Sequence, residues 1–132
     1  MSAFGKFSIQ TAYKRVHGLG SAGAGTEHFW RQRVTAVALI PLTLVFVVVV
    51  ILATGKDYDA ARRLLGNPFV ALSMLLFVGA GISHMRIGMQ VIIEDYVHED
   101  VPKIALLLLN TFFSIACGLA CAYAILKLSF GG

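Results

Sequence analysis

The chain has 132 residues, of which 58% are hydrophobic and only 14% charged. A soluble domain of this size needs far more polar surface, so the composition excludes that class and indicates an integral membrane protein with room for one compact bundle. The net charge of +4 would suit nucleic-acid binding in a soluble protein, but here the basic residues flank apolar runs, where membrane orientation accounts for them and no nucleic acid is expected.

Residues 1–25 contain no apolar core of the kind a cleavable secretory signal needs. They contain no acidic residue either, since Glu27 is the first. That is faintly like a mitochondrial transit peptide. Lys6, Lys14 and Arg15 are sparse, however, and the expectation is a bacterial protein that keeps its N-terminus. The segment ends in GLGSAGAG, Gly18 to Gly25. Such a stretch buries little and is expected to be flexible or held by a partner. It lacks the lysine and the preceding strand of a phosphate-cradling loop.

Thr26 is placed to cap a helix, with Glu27 in the first turn. His28, Trp30, Arg31 and Arg33 follow, residue types suited to the water–lipid boundary. Val34 to Thr54 is free of charge. Such a run makes ~32 Å of helix, enough to cross a hydrocarbon core of ~30 Å. Pro41 lies inside it and is expected to free the carbonyl of Val37 and kink the helix.

Residues 55–67 form a connector of mixed charge, with a short interfacial helix possible within it. Asn67-Pro68 is a helix start signal, a cap residue followed by proline at the first helical position. The second span is expected over about 69–93. Gly79 and Gly81 there permit close approach by a neighbour. Residues 94–103 form the second connector, and Asp100 and Pro102 mark the start of a third helix. Its span is expected over about 104–126. Cys117 and Cys121 lie in this span without zinc, redox or haem-attachment spacing and are read as apolar filler. No internal repeat suggests a duplicated transporter. The predicted fold class is therefore an all-α membrane protein. Its three transmembrane helices form one domain, residues 26–132, after a flexible segment, residues 1–25.

Three spans put the N-terminus and the second connector on one side. Lys6, Lys14, Arg15, Arg31, Arg33 and Lys103 lie there, against Lys56, Arg62, Arg63 and Lys127 on the other. The positive-inside rule then favours a cytoplasmic N-terminus, by a modest margin.

The stretch from His84 to Tyr96, HMRIGMQVIIEDY, carries the chemistry. Ionisable groups within a span are costly and by default functional. On a helix His84, Gly88, Val91 and Asp95 share one face. His84 lies ~16 Å from Asp95 along the axis, near the bilayer centre if Asp95 is at the surface. A histidine there can serve as a buried hydrogen-bonding group, a proton relay, a metal or haem ligand, or a contact for a polar substrate. Gly88 removes a side chain one turn away and would clear space for a flat group. Arg33 and Arg86 are cations able to reach the acidic edge of such a group. Arg86 lies about 200° around the helix from His84. It suits equally a buried pairing with a partner carboxylate or a lipid phosphate. Asp95-Tyr96 is either a proton donor beside a phenol or a solvated helix end with a belt tyrosine. Among the four histidines, His17, His28 and His98 lie outside the spans. A haem bound by two imidazoles would take its second from another chain.

The spacing His84, three residues, Gly88, six residues, Asp95-Tyr96 resembles the second helix of the small hydrophobic membrane anchor of succinate dehydrogenase, the cytochrome b556 small subunit. Arg33-Val34-Thr35-Ala36 resembles the Arg-x-Thr-Ala that opens the family's first helix. With the three-span layout, the resemblance covers about residues 28 to 127. It implies a non-catalytic anchor in a respiratory-chain and tricarboxylic acid cycle complex of the bacterial inner membrane. The implied partners are a second hydrophobic anchor subunit, an iron–sulfur subunit, a flavoprotein subunit and the lipid bilayer. His84 would be one axial ligand of a haem b shared with the second anchor. Tyr96 would hydrogen-bond a ubiquinone carbonyl, and Asp95 would hold the polar network or deliver protons. Arg33 would lie near a haem propionate or the quinone pocket. Arg86 has no firm family role and stands as a propionate or structural candidate. The anchor of a related fumarate reductase is the alternative, and a non-redox small membrane protein is the reading of a different class.

Overall fold

The computed structural model describes residues 24–131, and the expected flexible segment falls almost wholly outside them. Four helices follow in order: α1 (Ala24–Ala53), α2 (Tyr58–Leu65), α3 (Pro68–Tyr96) and α4 (Asp100–Ser129). No strand occurs among the described residues. α1, α3 and α4 are each long and apolar enough to cross a membrane. At 29 or 30 residues each is about 45 Å long, against a core of about 30 Å. The helices therefore outrun the uncharged stretches by a turn or more. Inside lipid or at its edge, a backbone stays helical to keep its hydrogen bonds, and charged side chains at the ends reach outward to water.

Local chemistry sets most of the ends. The Asn67 side chain accepts from Phe69 N at 3.0 Å, with Pro68 in the first turn of α3. The Asp57 carboxylate caps α2 by accepting from Ala60 N at 3.0 Å. α1 stops where Gly55 takes a positive φ of 76°, a conformation that costs glycine nothing and other residues a good deal. One start differs from expectation: α1 begins at Ala24, so Thr26 falls inside its first turn. α4 begins at Asp100, as expected, after Glu99, whose side chain makes no capping bond. α1 continues through Pro41 as one helix.

α3 is the middle of the bundle. α1 packs on one side of it and α4 on the other, and α1 and α4 do not pack on each other. The α1–α3 seam is closed by a Phe46–Phe77 stack, with ring centroids 4.6 Å apart and planes 9° apart. Nearby Gly81 brings α3 against Leu39. In the α3–α4 seam Gly118 meets Ile82. Gly79, by contrast, faces open space. Few of the described side chains are buried: Val49, Ala71, Met74, Ile93, Asn110 and Ser114, of which only Ser114 is fully so. Large apolar side chains cover the outside of all three long helices. A bilayer covers such a surface, or a bundle partner does.

Candidate functional site

His84 is half-buried and turns towards α1. Its Nδ1 lies 3.2 Å from the hydroxyl of Thr35. That hydroxyl also lies 2.8 Å from the carbonyl of Arg31 and 3.1 Å from that of Gln32. Among the described residues the other ring nitrogen, Nε2, has no hydrogen-bond partner.

Gly88, one turn along, does not open a void. A Cβ there would stand 3.4 Å from Nε2 of Gln32. The missing side chain lets the Gln32 amide of α1 lie across α3, so the space expected for a flat group beside Gly88 is partly taken. Gln32 Oε1 is buried and has no partner among the described residues.

Arg86 lines a cleft of about 550 Å³ between α1, α3 and α4, with Trp30, Arg31, Thr35, Ser83 and Ser114. Arg31 is engaged by Glu27 at 2.7 Å. Ser114 is only 1% exposed and its Oγ has no partner among the described residues. His84 does not line this cleft, but its partner Thr35 does. The backbone carbonyl of Arg86 accepts from Asn110 Nδ2 at 3.0 Å.

Arg33 is exposed and lies over the ring of Phe29, 5.1 Å from its centroid. It precedes Thr35 by two residues, about 200° around α1. The structure therefore does not bring Arg33 together with His84 and Arg86. Asp95 and Tyr96 occupy the last turn of α3 and are exposed, Tyr96 at 80%. Beside them Gln90 Nε2 donates to Glu94 Oε1 at 2.8 Å, and Lys103 reaches the Glu94 carbonyl at 3.2 Å.

No three His, Cys, Asp or Glu side chains converge among the described residues. A metal at His84 would thus take only part of its ligands from this chain. Cys117 and Cys121 are free thiols. Sequence reasoning did not anticipate Gln32, Asn110 or Ser114, and it quoted Thr35 only within a motif. A polar residue inside an apolar span was the available signal for Thr35, Asn110 and Ser114, whereas Gln32 lies between Arg31 and Arg33, outside the uncharged run, and carried no such signal.

The fold and the site define a three-span helical membrane protein with a polar, histidine-bearing seam between its first two spans. Residues 8–119 match the family model described as succinate dehydrogenase/fumarate reductase transmembrane subunit. The chain is 37% identical over 121 residues to the succinate dehydrogenase hydrophobic membrane anchor subunit of Paracoccus denitrificans, covering 92% of this chain and 93% of the relative. It is 35% identical to the membrane anchor subunit of Reclinomonas americana, covering 70% and 79%. The corresponding subunit of Rickettsia bellii is 30% identical, with 73% and 77% covered. No solved structure matches the chain. The chain belongs to the succinate dehydrogenase/fumarate reductase transmembrane subunit family, and its relatives are membrane anchors of succinate dehydrogenase.

Proposed function

We propose that this anchor supplies one axial ligand, His84, to a haem b shared with a second hydrophobic anchor subunit, and contributes Asp95 and Tyr96 to a ubiquinone-reduction site. The observation that carries the reading is the state of His84. It is the one histidine of the described residues that lies inside a span away from its ends. One ring nitrogen is engaged by Thr35 and the other is left to a ligand. A second observation points to the partner subunit and not to the haem, whose propionates accept and do not donate: Gln32 Oε1, beside Gly88, is a buried acceptor with no donor among the described residues. Leaving such a group unmade costs about 1–3 kcal/mol, so a donor from an assembled partner is expected beside it.

When bound, the haem would supply one-electron chemistry. What the chain does is hold and orient. His84 would hold the iron at mid-span. Arg86, in its cleft, and Arg33, on the outer side of α1, offer charge to propionates or to a partner's acidic groups. Tyr96 is free to donate its phenolic proton to a quinone carbonyl oxygen. Quinone reduction takes up two electrons and two protons, and Asp95 at the water-facing end of α3 provides an entry for the protons.

The electrons come from succinate through a flavoprotein and an iron–sulfur partner, so the isolated anchor has no succinate-oxidising activity. The names of the curated relatives favour succinate oxidation over fumarate reduction. The bacterial sources of the Paracoccus and Rickettsia relatives and the cation bias support a bacterial inner membrane with the N-terminus in the cytoplasm.

The test is a reduced-minus-oxidised optical spectrum of the detergent-purified complex, wild type beside His84→Ala. A b-type haem band in the wild type that is lost or shifted in the variant supports the ligand role. A wild-type complex without haem overturns it.

A further inference from the structure

We propose that Thr35 is a positioning residue for His84: it fixes the imidazole tautomer so that Nε2 is the unprotonated, iron-binding nitrogen. The proposal rests on the reading of His84 as a haem ligand and adds a residue to it. The argument is a count of protons. A threonine hydroxyl has one proton to donate. Thr35 Oγ1 lies 2.8 Å from the Arg31 carbonyl and 3.1 Å from the Gln32 carbonyl. Carbonyl oxygens only accept, so the hydroxyl proton is directed at them, the common bond of a threonine within a helix.

What Thr35 then turns to His84 is an oxygen lone pair, 3.2 Å from Nδ1. A lone pair at that distance is satisfied when Nδ1 carries a proton. A neutral imidazole has only one, so Nε2 keeps its own lone pair. The chain of donors runs from His84 Nδ1–H to Thr35 Oγ1, and from Thr35 O–H to the backbone of α1. Metal-ligating histidines almost always donate their second N–H to an oxygen, which fixes the ring and raises its basicity. Here the acceptor is itself held by the helix backbone, so the ring is referenced to α1 as well as to α3.

The substitutions that separate hydroxyl from shape are Thr35→Val and Thr35→Ser. Valine keeps the volume and leaves Nδ1–H without an acceptor. Serine keeps the hydroxyl and loses only a methyl group. The experiment uses the assembled, detergent-purified complex, with His84→Ala alongside. It measures haem retention on dilution, the haem midpoint potential and the low-temperature EPR signal of the oxidised haem. For Thr35→Val we expect haem affinity to fall by roughly 10–100-fold. The potential should move positive, because a less basic imidazole stabilises oxidised iron less, and the EPR position should shift. Thr35→Ser should restore all three.

A Thr35→Val complex with wild-type potential and EPR signal overturns the proposal even when His84→Ala loses the haem, and the ligand reading then stands without it. A Thr35→Ser complex shifted as far as Thr35→Val also overturns it, because packing and not the hydroxyl is then at work. If Thr35→Val does not assemble, Thr35→Ala takes its place and is read the same way. Equal haem in wild type and His84→Ala removes the ligand reading, and this proposal with it.

Discussion

The side-chain amide of Asn110 donates to the backbone carbonyl of Arg86 across the α3–α4 seam, at 3.0 Å. Asn110 is 9% exposed, among the few buried polar side chains. The bond pins α4 to α3 two residues, about half a turn, from His84, on a carbonyl that the helix already uses.

Asn110→Leu is expected to destabilise the assembled subunit by about 0.5–1.5 kcal/mol, the range for an interhelical hydrogen bond within a membrane. The loss is modest because the Arg86 carbonyl keeps its helical bond. Thermal unfolding of the detergent-solubilised complex measures it. An unchanged midpoint would show that the bond holds nothing.

Gly88 is tight against a flexible side-chain end, not against backbone. Gly88→Ala should therefore be accommodated by a small movement of Gln32, with haem content retained. Gly88→Leu should force α1 away from α3 and lower haem content. Equal haem content in the two variants would contradict this packing.

The Phe46–Phe77 stack belongs to the other end of the α1–α3 seam. Phe46→Leu keeps most of the apolar volume and should cost about 0.5–1.5 kcal/mol, the worth of an aromatic pair beyond its area. The haem spectrum should be unchanged. A shifted haem band in Phe46→Leu would mean the seam is mechanically coupled along its whole length.

Tyr96 is 80% exposed and has no hydrogen-bond partner among the described residues. Tyr96→Phe removes only the donor proposed for the quinone carbonyl. Quinone reduction by succinate should fall about tenfold, the effect of one hydrogen bond of about 1.4 kcal/mol. Succinate oxidation with a water-soluble electron acceptor should be unaffected. A parallel fall in both activities would point to faulty assembly instead.

The three spans were legible because their signal is local. The uncharged runs of about twenty residues in the first and third spans need no partner to announce that they cross a bilayer, and the shorter run from Phe69 to Met85 marks the second. Asn67-Pro68 likewise marked the start of α3 from two adjacent residues, and the structure puts the cap there. The His84, Gly88, Asp95-Tyr96 spacing and the Arg33-Val34-Thr35-Ala36 string led to the family that the comparisons show.

Other features needed the tertiary structure. Apolar residues run all the way around these helices, so no stripe tells which face turns inward. Only the packed bundle decides that α3 is central, that Gln32 lies over Gly88, and that Arg86 shares a cleft with Ser114 while Arg33 lies on the far side of α1. Composition and spacing alone determined a three-span membrane protein with a histidine at mid-span, and the family resemblance added its role as an anchor. The pairing of that histidine with Thr35, 49 residues earlier, was decided by the rotation of one helix against another. That rotation depends on side chains from distant parts of the chain meeting at once.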